Sequence, residues 1–552
     1  MQRLARFWRV AVAPLILWAL CLCGCTGFRQ YAQNGFKVGP NYCLPQAAVA
    51  EQWIDAAADK KDHRVRQDRT DLRQWWAVFN DQALNGLIER AFRQNLSLRE
   101  AGFRVLQARA QLAMARGDLF PQSQNSFGSF RRTGSSLNPP TSVTSDAGRF
   151  FNQWAFGFNL AWELDLWGRY RRAVEAAEAS LEASAADYDG VLVTLLGDVA
   201  ANYVRIRTAQ ERIKWLAASA RVQEDVWTYL KTRADVGFRV TDLDVAQAAS
   251  DLKRTAAQIP PLEIEQRQAA NRLCILLGVP PSDLQKELGL GSIPIAPPEV
   301  VVGIPADLLR QRPDVRRAER LLAAQAEQIG IAQADLYPIF TINGTMGWQA
   351  REFAHLFSSK AFNGSVGPSF QWNLLNYGRI VNHVRFQDAR FRELLVAYQE
   401  TVLRANEEVE NGLVSFLQAQ ERTRRLDESV RAAKIAREAA YAQYEHAVQV
   451  AGLVTDFNRY AVIERDLIQQ GDLLAQARGE IALGLIQVYR ALGGGWEIVG
   501  GRASGEDSPE ALPPGTVEPP AEVAPVPADK PLPLSPLPPL PTGKPAKPPG
   551  DH

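Results

Sequence analysis

Three cysteines close an N-terminal apolar run, and they are the residues of this chain best placed for covalent chemistry. Arg3, Arg6 and Arg9 precede Val10–Leu22, an apolar stretch short for a membrane span. The run ends in Cys21-Leu22-Cys23-Gly24-Cys25. This resembles a lipobox, in which small residues precede a cysteine that is diacylated and becomes the new N-terminus. Residues 1–24 are then a signal peptide, and Cys25 carries the acyl chains that tether the chain to a bilayer. Thr26 stands where an inner-membrane retention signal would place Asp. The alternative is an ordinary signal peptide or a retained anchor helix; each of these readings exports the chain.

Other reactive groups are scattered. The 5 histidines (His63, His355, His383, His446, His552) form no i, i+4 pair for a metal. Asn363-Gly364-Ser365-Val366-Gly367 misses the nucleophile-elbow pattern at its first position. No Walker-type loop occurs, so neither an enzyme nor a bound cofactor is expected. A formal net charge of +1 gives no footprint for nucleic acid. Cys43 and Cys274 are able to pair in an oxidising compartment; the plainer reading makes Cys274 a core thiol within Leu273-Cys274-Ile275-Leu276.

The body repeats itself. Trp162-Glu163-Leu164-Asp165-Leu166-Trp167-Gly168-Arg169 is echoed by Trp372-Asn373-Leu374-Leu375-Asn376-Tyr377-Gly378-Arg379. Asp118-Leu119-Phe120-Pro121 returns as Asp335-Leu336-Tyr337-Pro338, and Val240-Thr241-Asp242 as Val454-Thr455-Asp456. The spacing is roughly 210 to 217 residues throughout, as a duplicated plan requires. The boundaries expected are a lipidated segment over 25–80, a first repeat over 81–300, a second over 301–498, and a proline-rich tail over 499–552 without a packed core.

Each repeat holds a strand pair, about 122–132 with 150–162 and 339–349 with 366–374. Trp154, Phe156 and Phe158 alternate with Ala155, Gly157 and Asn159. Phe340, Ile342 and Trp348 alternate with polar or small residues, and so do Phe370 and Trp372. Dyad alternation over such lengths is the pattern of transmembrane barrel strands, with those eight residues facing lipid. The strand at 122–132 alternates poorly and rests on symmetry. Pro368 argues against a central strand there. Residues 133–148 and 351–365 are the expected outer loops. Four strands cannot close a barrel, and an open edge in lipid strands backbone groups at several kcal/mol each. Three chains supplying four strands each give a closed twelve-stranded barrel. A soluble sheet with one buried face is the competing reading.

The helices are long. Arg169 to Thr232 contains no proline and many alanines, and Arg379 to about Gln449 is comparable, so both fit tubular or coiled-coil packing. Shorter helices are expected over 81–117, 242–277, 306–336 and 455–492, with Pro260-Pro261 bending the second. Residues 280–305 and those after Gly493 read as an irregular belt. Chain reversals fall at Gly237 and Gly452.

These features together resemble the TolC-type outer-membrane efflux channels, in their OprM/NodT-like lipoprotein branch. The resemblance rests on Val38-Gly39-Pro40-Asn41-Tyr42, Trp75-Trp76 with Phe79, Asp81 and Leu84, the Trp162 motif, Arg312-Pro313-Asp314-Val315-Arg316, and Gly493-Gly494-Gly495-Trp496. It spans about residues 38–498. It implies a homotrimer: a twelve-stranded transmembrane β-barrel continuous with a periplasmic α-helical barrel and an equatorial domain. It implies docking to a periplasmic adaptor and an inner-membrane transporter, commonly of the RND class, and export of small toxic compounds. Arg233, Gly237, Val240, Thr241 and Asp244 match the adaptor-docking tip, with Gly452 and Val454 at the second tip. That second tip departs from the family: Tyr444 is followed by Ala447, Gly452 comes late, and Val462 replaces an expected acid. Asp456, with Arg459 one turn on, is the remaining gate candidate. A ring of three carboxylates would repel, and adaptor contacts would shift closed tips toward open ones. A duct for type I protein secretion and a periplasmic coiled-coil scaffold are the rival readings.

Overall fold

The computed structural model describes residues 28–499, apart from 51, 55–63, 67–71, 135–149, 238–239, 303–310 and 450–456. Cys25, Gly452, Val454, Asp456 and the proline-rich tail lie outside the described residues.

Among the described residues, eight long helices and four long strands make up the body. In chain order they are α1 (Gln82–Gln94), α2 (Leu96–Gly117), β1 (Ser123–Gly134), β2 (Phe150–Leu164), α3 (Arg169–Asp235), α4 (Asp242–Ala256), α5 (Ile259–Leu276), α6 (Pro313–Ala334), β3 (Ile339–Ala350), β4 (Phe362–Gln371), α7 (Arg379–Gln449) and α8 (Phe457–Ala491). At 67 and 71 residues, α3 and α7 are each about 100 Å long.

The sequence places one helix over 81–117, but the chain breaks at Asn95. The side chain of Asn95 accepts from the Leu98 N–H at 2.8 Å and donates to the Leu276 carbonyl at 2.9 Å. It therefore caps α2 and pins it to the end of α5. Pro260 and Pro261 fall in the first turn of α5, where a missing N–H costs nothing, so the break comes just before them. A short parallel bridge, Val65–Arg66 with Val300–Val301, and a helical turn at Leu284–Leu288 lie in stretches read as irregular or not assigned.

The strands form one antiparallel sheet in the order β1-β2-β3-β4. Strand β4 begins at Phe362 and ends at Gln371, earlier than the alternation suggested. Trp372 is therefore not a strand residue; its indole N–H reaches the Leu336 carbonyl at 3.0 Å. Its counterpart Trp162 does the same to Leu119 at 3.3 Å, so the duplication persists in side-chain detail. Both halves turn from strand to helix through a left-handed glycine, Gly168 and Gly378, each at φ +81°, where a Cβ would strain the backbone. Pro368 sits in β4, a sheet edge, the position that tolerates it.

The main core wraps the middle of α3. Trp75, Trp76, Leu84, Leu196, Tyr203, Leu273 and Phe416 are buried there together. Cys274 belongs to it as a free buried thiol, and Cys43 is free and exposed.

Candidate functional site

The register divides the sheet into two chemically different faces. Phe156 pairs with Trp348, Phe158 with Met346, Trp162 with Ile342, and Phe340 with Phe370. These residues share one face with Trp154, Phe130 and Phe362. Their rings meet: Phe156 stands 5.7 Å from Phe158 and 6.4 Å from Trp348. The opposite face carries Asn125, Asn159, Thr341, Asn343, Thr345, Ser365 and Ser369. Hydroxyl contacts cross the strands there, Thr341 to Ser369 at 2.7 Å and Thr345 to Ser365 at 2.9 Å. One face is aromatic; the other is polar and suits water.

All four helix–strand junctions leave the sheet at one end, and the β1–β2 and β3–β4 connections lie at the other. Close to the helical end, a buried arginine ties three segments together. Arg172 donates to the carbonyls of Val38 (2.7 Å) and Gly39 (3.0 Å) and to Asn41 Oδ1 (3.1 Å), and pairs with Glu327 of α6. Burial raises the Glu327 carboxyl pKa, and Arg172 opposes that shift. Val38-Gly39-Pro40-Asn41 is thus the strap that Arg172 holds.

The middle of the helical layer is tied similarly. Tyr203 donates to Asp81 Oδ2 at 2.7 Å, and burial first, then this bond, push the phenol to about 12. Arg207 donates to the Leu288 and Gly289 carbonyls at 3.1 and 2.8 Å, fixing the irregular belt. Arg212 grips Asp472 of α8 with two bonds, at 2.8 and 2.9 Å. Arg316 lies over the Trp496 ring at 4.9 Å, so two of the sequence motifs meet directly.

At the far end, α3 turns into α4 through Gly237, at φ +72°. Thr241 and Asp244 form a reciprocal capping box that starts α4. Arg233 stacks on Tyr229 at 5.0 Å. Leu230, Ala248, Tyr444, Phe457 and Tyr460 form a small core behind the tip. Gln247 of α4 donates to Asn458 of α8 at 3.0 Å, linking the two hairpins. Arg459 follows directly on α8, one position from that contact, while its partner candidate Asp456 is outside the described residues.

Sequence reading missed a polar seam just above this core. Glu464 is buried beside Gln223, Asp251 and Tyr460. Arg437 of α7 is its ion partner at 3.8 Å, too far for a hydrogen bond, and Glu464 Oε2 accepts none. Burial pushes the Glu464 carboxyl above its usual range, with Arg437 opposing. Only its i−4, i+4 neighbours Tyr460 and Ile468 on one helical stripe hinted at burial.

Known proteins share this arrangement. Residues 87–279 and 304–494, one segment in each repeat, match the family described as Outer membrane efflux protein. The pyoverdine export outer membrane protein OpmQ of Pseudomonas aeruginosa is 30% identical over 453 residues, 82% of this chain and 92% of that one. The toluene efflux pump outer membrane protein TtgC of Pseudomonas putida is 28% identical over 481 residues, covering 86% and 96%. The solved outer-membrane channel OprN superposes with a TM-score of 0.76 at 33% identity, over 83% of this chain and 99% of that one.

Proposed function

The chain belongs to the outer membrane efflux protein family, and from that premise we propose that it is the passive exit duct for small toxic compounds in a tripartite pump. It is a TolC-type channel of the outer membrane that extends into the periplasm. The family is one of ducts, not of enzymes.

One observation carries the assembly. Strands β1 and β4 are both unpaired sheet edges, and the helical layer has matching edges. Helices α2 and α5 pack chiefly on α3, and α7 on α6 and α8, so α3 is central. Among the described residues α3 exposes Val222 as its one large apolar side chain, whereas α2 exposes Leu96, Phe103, Leu106 and Met114. Edge helix α7 exposes Val381, Phe386, Val396, Leu403, Val414 and Ile435. Both layers thus end in surfaces that need a second copy, and a head-to-tail contact that closes makes a ring. Three copies complete twelve strands. Trp154, Phe156, Phe158, Phe340, Ile342, Trp348 and Phe370 then face lipid, and the hydroxyl-rich face lines the pore.

In this reading Cys25 is lipidated after removal of residues 1–24, and 25–80 is the lipidated N-terminal segment that contains the strap. Residues 81–300 and 301–498 are the two repeats, and 499–552 is a tail. The tips around Arg233, Gly237, Val240, Thr241, Asp244, Gly452 and Val454 dock a periplasmic adaptor, and the pump behind it is of the RND class. Asp456 and Arg459 contribute to the closed gate. The names of OpmQ and TtgC favour small compounds over protein as cargo.

The test is the mass of the detergent-solubilised particle together with planar-bilayer recording. A trimer with discrete conductance supports the duct; a detergent-independent monomer without pore activity overturns it. An unchanged conductance in Asp456→Ala removes that residue from the gate.

A further inference from the structure

The β3–β4 connection does not rise away from the sheet; it folds back over its aromatic face. Phe353 packs on Trp154 at 5.1 Å. Phe357 packs on Phe156 at 5.8 Å and on Trp348 at 5.9 Å, and the intervening Leu356 is buried, 3% exposed. Phe353, Phe357 and the neighbouring Phe362 each remain more than half exposed. The loop satisfies its own backbone: the N–H groups of His355, Leu356, Ser358 and Ala361 donate within it at 3.0 to 3.2 Å. Internal pairing is what irregular backbone needs at a lipid boundary.

Cations rim this aromatic patch. Arg351 and Lys360 stand at the two ends of the loop. Arg132 lies on the same face of β1, paired with Asn152. Because Trp154 pairs with Ala350, Asn152 and Arg132 stand level with the first loop residues, with Arg132 two strand spacings, about 10 Å, from them. No ion pair involves these three cations among the described residues. The carboxylate within this loop, Glu352, stands 3.5 Å from His355. The patch lies at the sheet end remote from helices α1 to α8, which in the proposed duct is the outer leaflet.

We propose that the loop Arg351–Ala361, with Arg132, is a binding site on the outer wall for a phosphate-bearing lipid of the outer leaflet. Acyl chains lie on Phe353, Phe357 and Phe362, and phosphates are held by Arg132, Arg351 and Lys360. An aromatic floor with separated cations suits a headgroup carrying phosphates at two points, and arginine favours phosphate geometry. The inference rests on the duct reading, since only a membrane-facing aromatic face meets lipid.

The full-length protein in nanodiscs is titrated with bisphosphorylated lipid A, phosphatidylglycerol or inorganic phosphate, with native mass spectrometry counting bound lipid. Lipid A should saturate at one per subunit and resist competition by phosphate. The triple variant Arg132→Gln/Arg351→Gln/Lys360→Gln should lose about a hundredfold in affinity, at roughly fivefold for each cation near a surface. Phe353→Ser/Phe357→Ser should lose retention while leaving the cations in place. Equal retention of lipid A by wild type and triple variant, or phosphatidylglycerol bound as tightly as lipid A, overturns the site. Bilayer conductance of the same samples separates the two ideas: a conducting trimer without selective lipid binding sinks this inference alone, and a preparation without pores sinks the duct.

Discussion

A Cβ placed on Gly39 would stand 2.6 Å from the Cα of Gly330, so the N-terminal strap and α6 touch backbone to backbone. Gly39 is also held at φ +89°, a left-handed conformation, and its carbonyl accepts from buried Arg172. Strain and collision act together in Gly39→Ala, which should cost about 2 kcal/mol or more. The expected result is a lower melting temperature of the purified trimer and faster proteolysis before residue 80. A variant that melts like wild type with an uncut strap refutes the contact.

The same strap shows how much of the chain was legible. Its motif was visible as a family mark, but its reason was not, because Arg172 lies 133 positions from Gly39. Local periodicity told the sheet's two faces apart, since side chains alternate strictly along a strand. It failed at Trp372, where alternation suggested a strand residue but the strand stops one position earlier, at Gln371. It failed again at Asn95, whose partner Leu276 is 181 positions away. Glu464 was overlooked for a similar reason: the groups that desolvate it come from α3, α4 and α7, which the sequence does not bring together.

Glu464 yields a pH dependence with a definite sign. Its carboxyl pKa is raised by burial in the folded tip relative to the unfolded value of about 4.3. The contribution to stability is therefore full below that unfolded value and is lost as pH rises through the raised folded one. Hydrogen exchange of α8 near Glu464 should accelerate between those pH limits. Glu464→Gln should flatten the dependence and slow exchange at neutral pH, by about 1 kcal/mol, because a neutral amide costs less to bury. Arg437, whose Nε is buried but whose side chain is partly exposed, retains Glu438 at 4.0 Å as a second carboxylate. An unaltered pH slope in the variant would assign the effect elsewhere.

Thr241 starts α4 at the exposed tip through its reciprocal bonds with Asp244, at 3.2 Å to the amide and 3.1 Å back. Thr241→Ala should fray the first turn at a cost of about 1 kcal/mol, and Thr241→Ser should restore most of it. Because the tip is peripheral, the melting temperature should barely move, while hydrogen exchange over residues 242–248 rises. Adaptor capture by the alanine variant should weaken severalfold; equal capture by both variants would separate the cap from docking.

Arg312 joins the start of α6 and the end of α8 to the middle of α7. Its guanidinium donates to Asp314 Oδ1 and Oδ2 at 3.0 and 2.7 Å, to Glu408 Oε2 at 2.7 Å, and to the carbonyl of Ala491, the last residue of α8. The side chain is buried, and desolvation opposes the charge while Asp314 and Glu408 support it, with the net effect upward. Lysine keeps the charge but has a single donor atom, so it cannot reach carboxylates and carbonyls that lie on different sides of a planar fork. Arg312→Lys should leave a buried carbonyl unpaired and cost about 2 kcal/mol. Arg316→Lys is the control, since its cation–π contact with Trp496 is worth about 1 kcal/mol or less at a partly open site. Thermal melts of the two variants should differ clearly, with Arg312→Lys also reducing the fraction of detergent-resistant trimer. If the two melt alike, charge alone holds this joint, and the fork geometry is incidental.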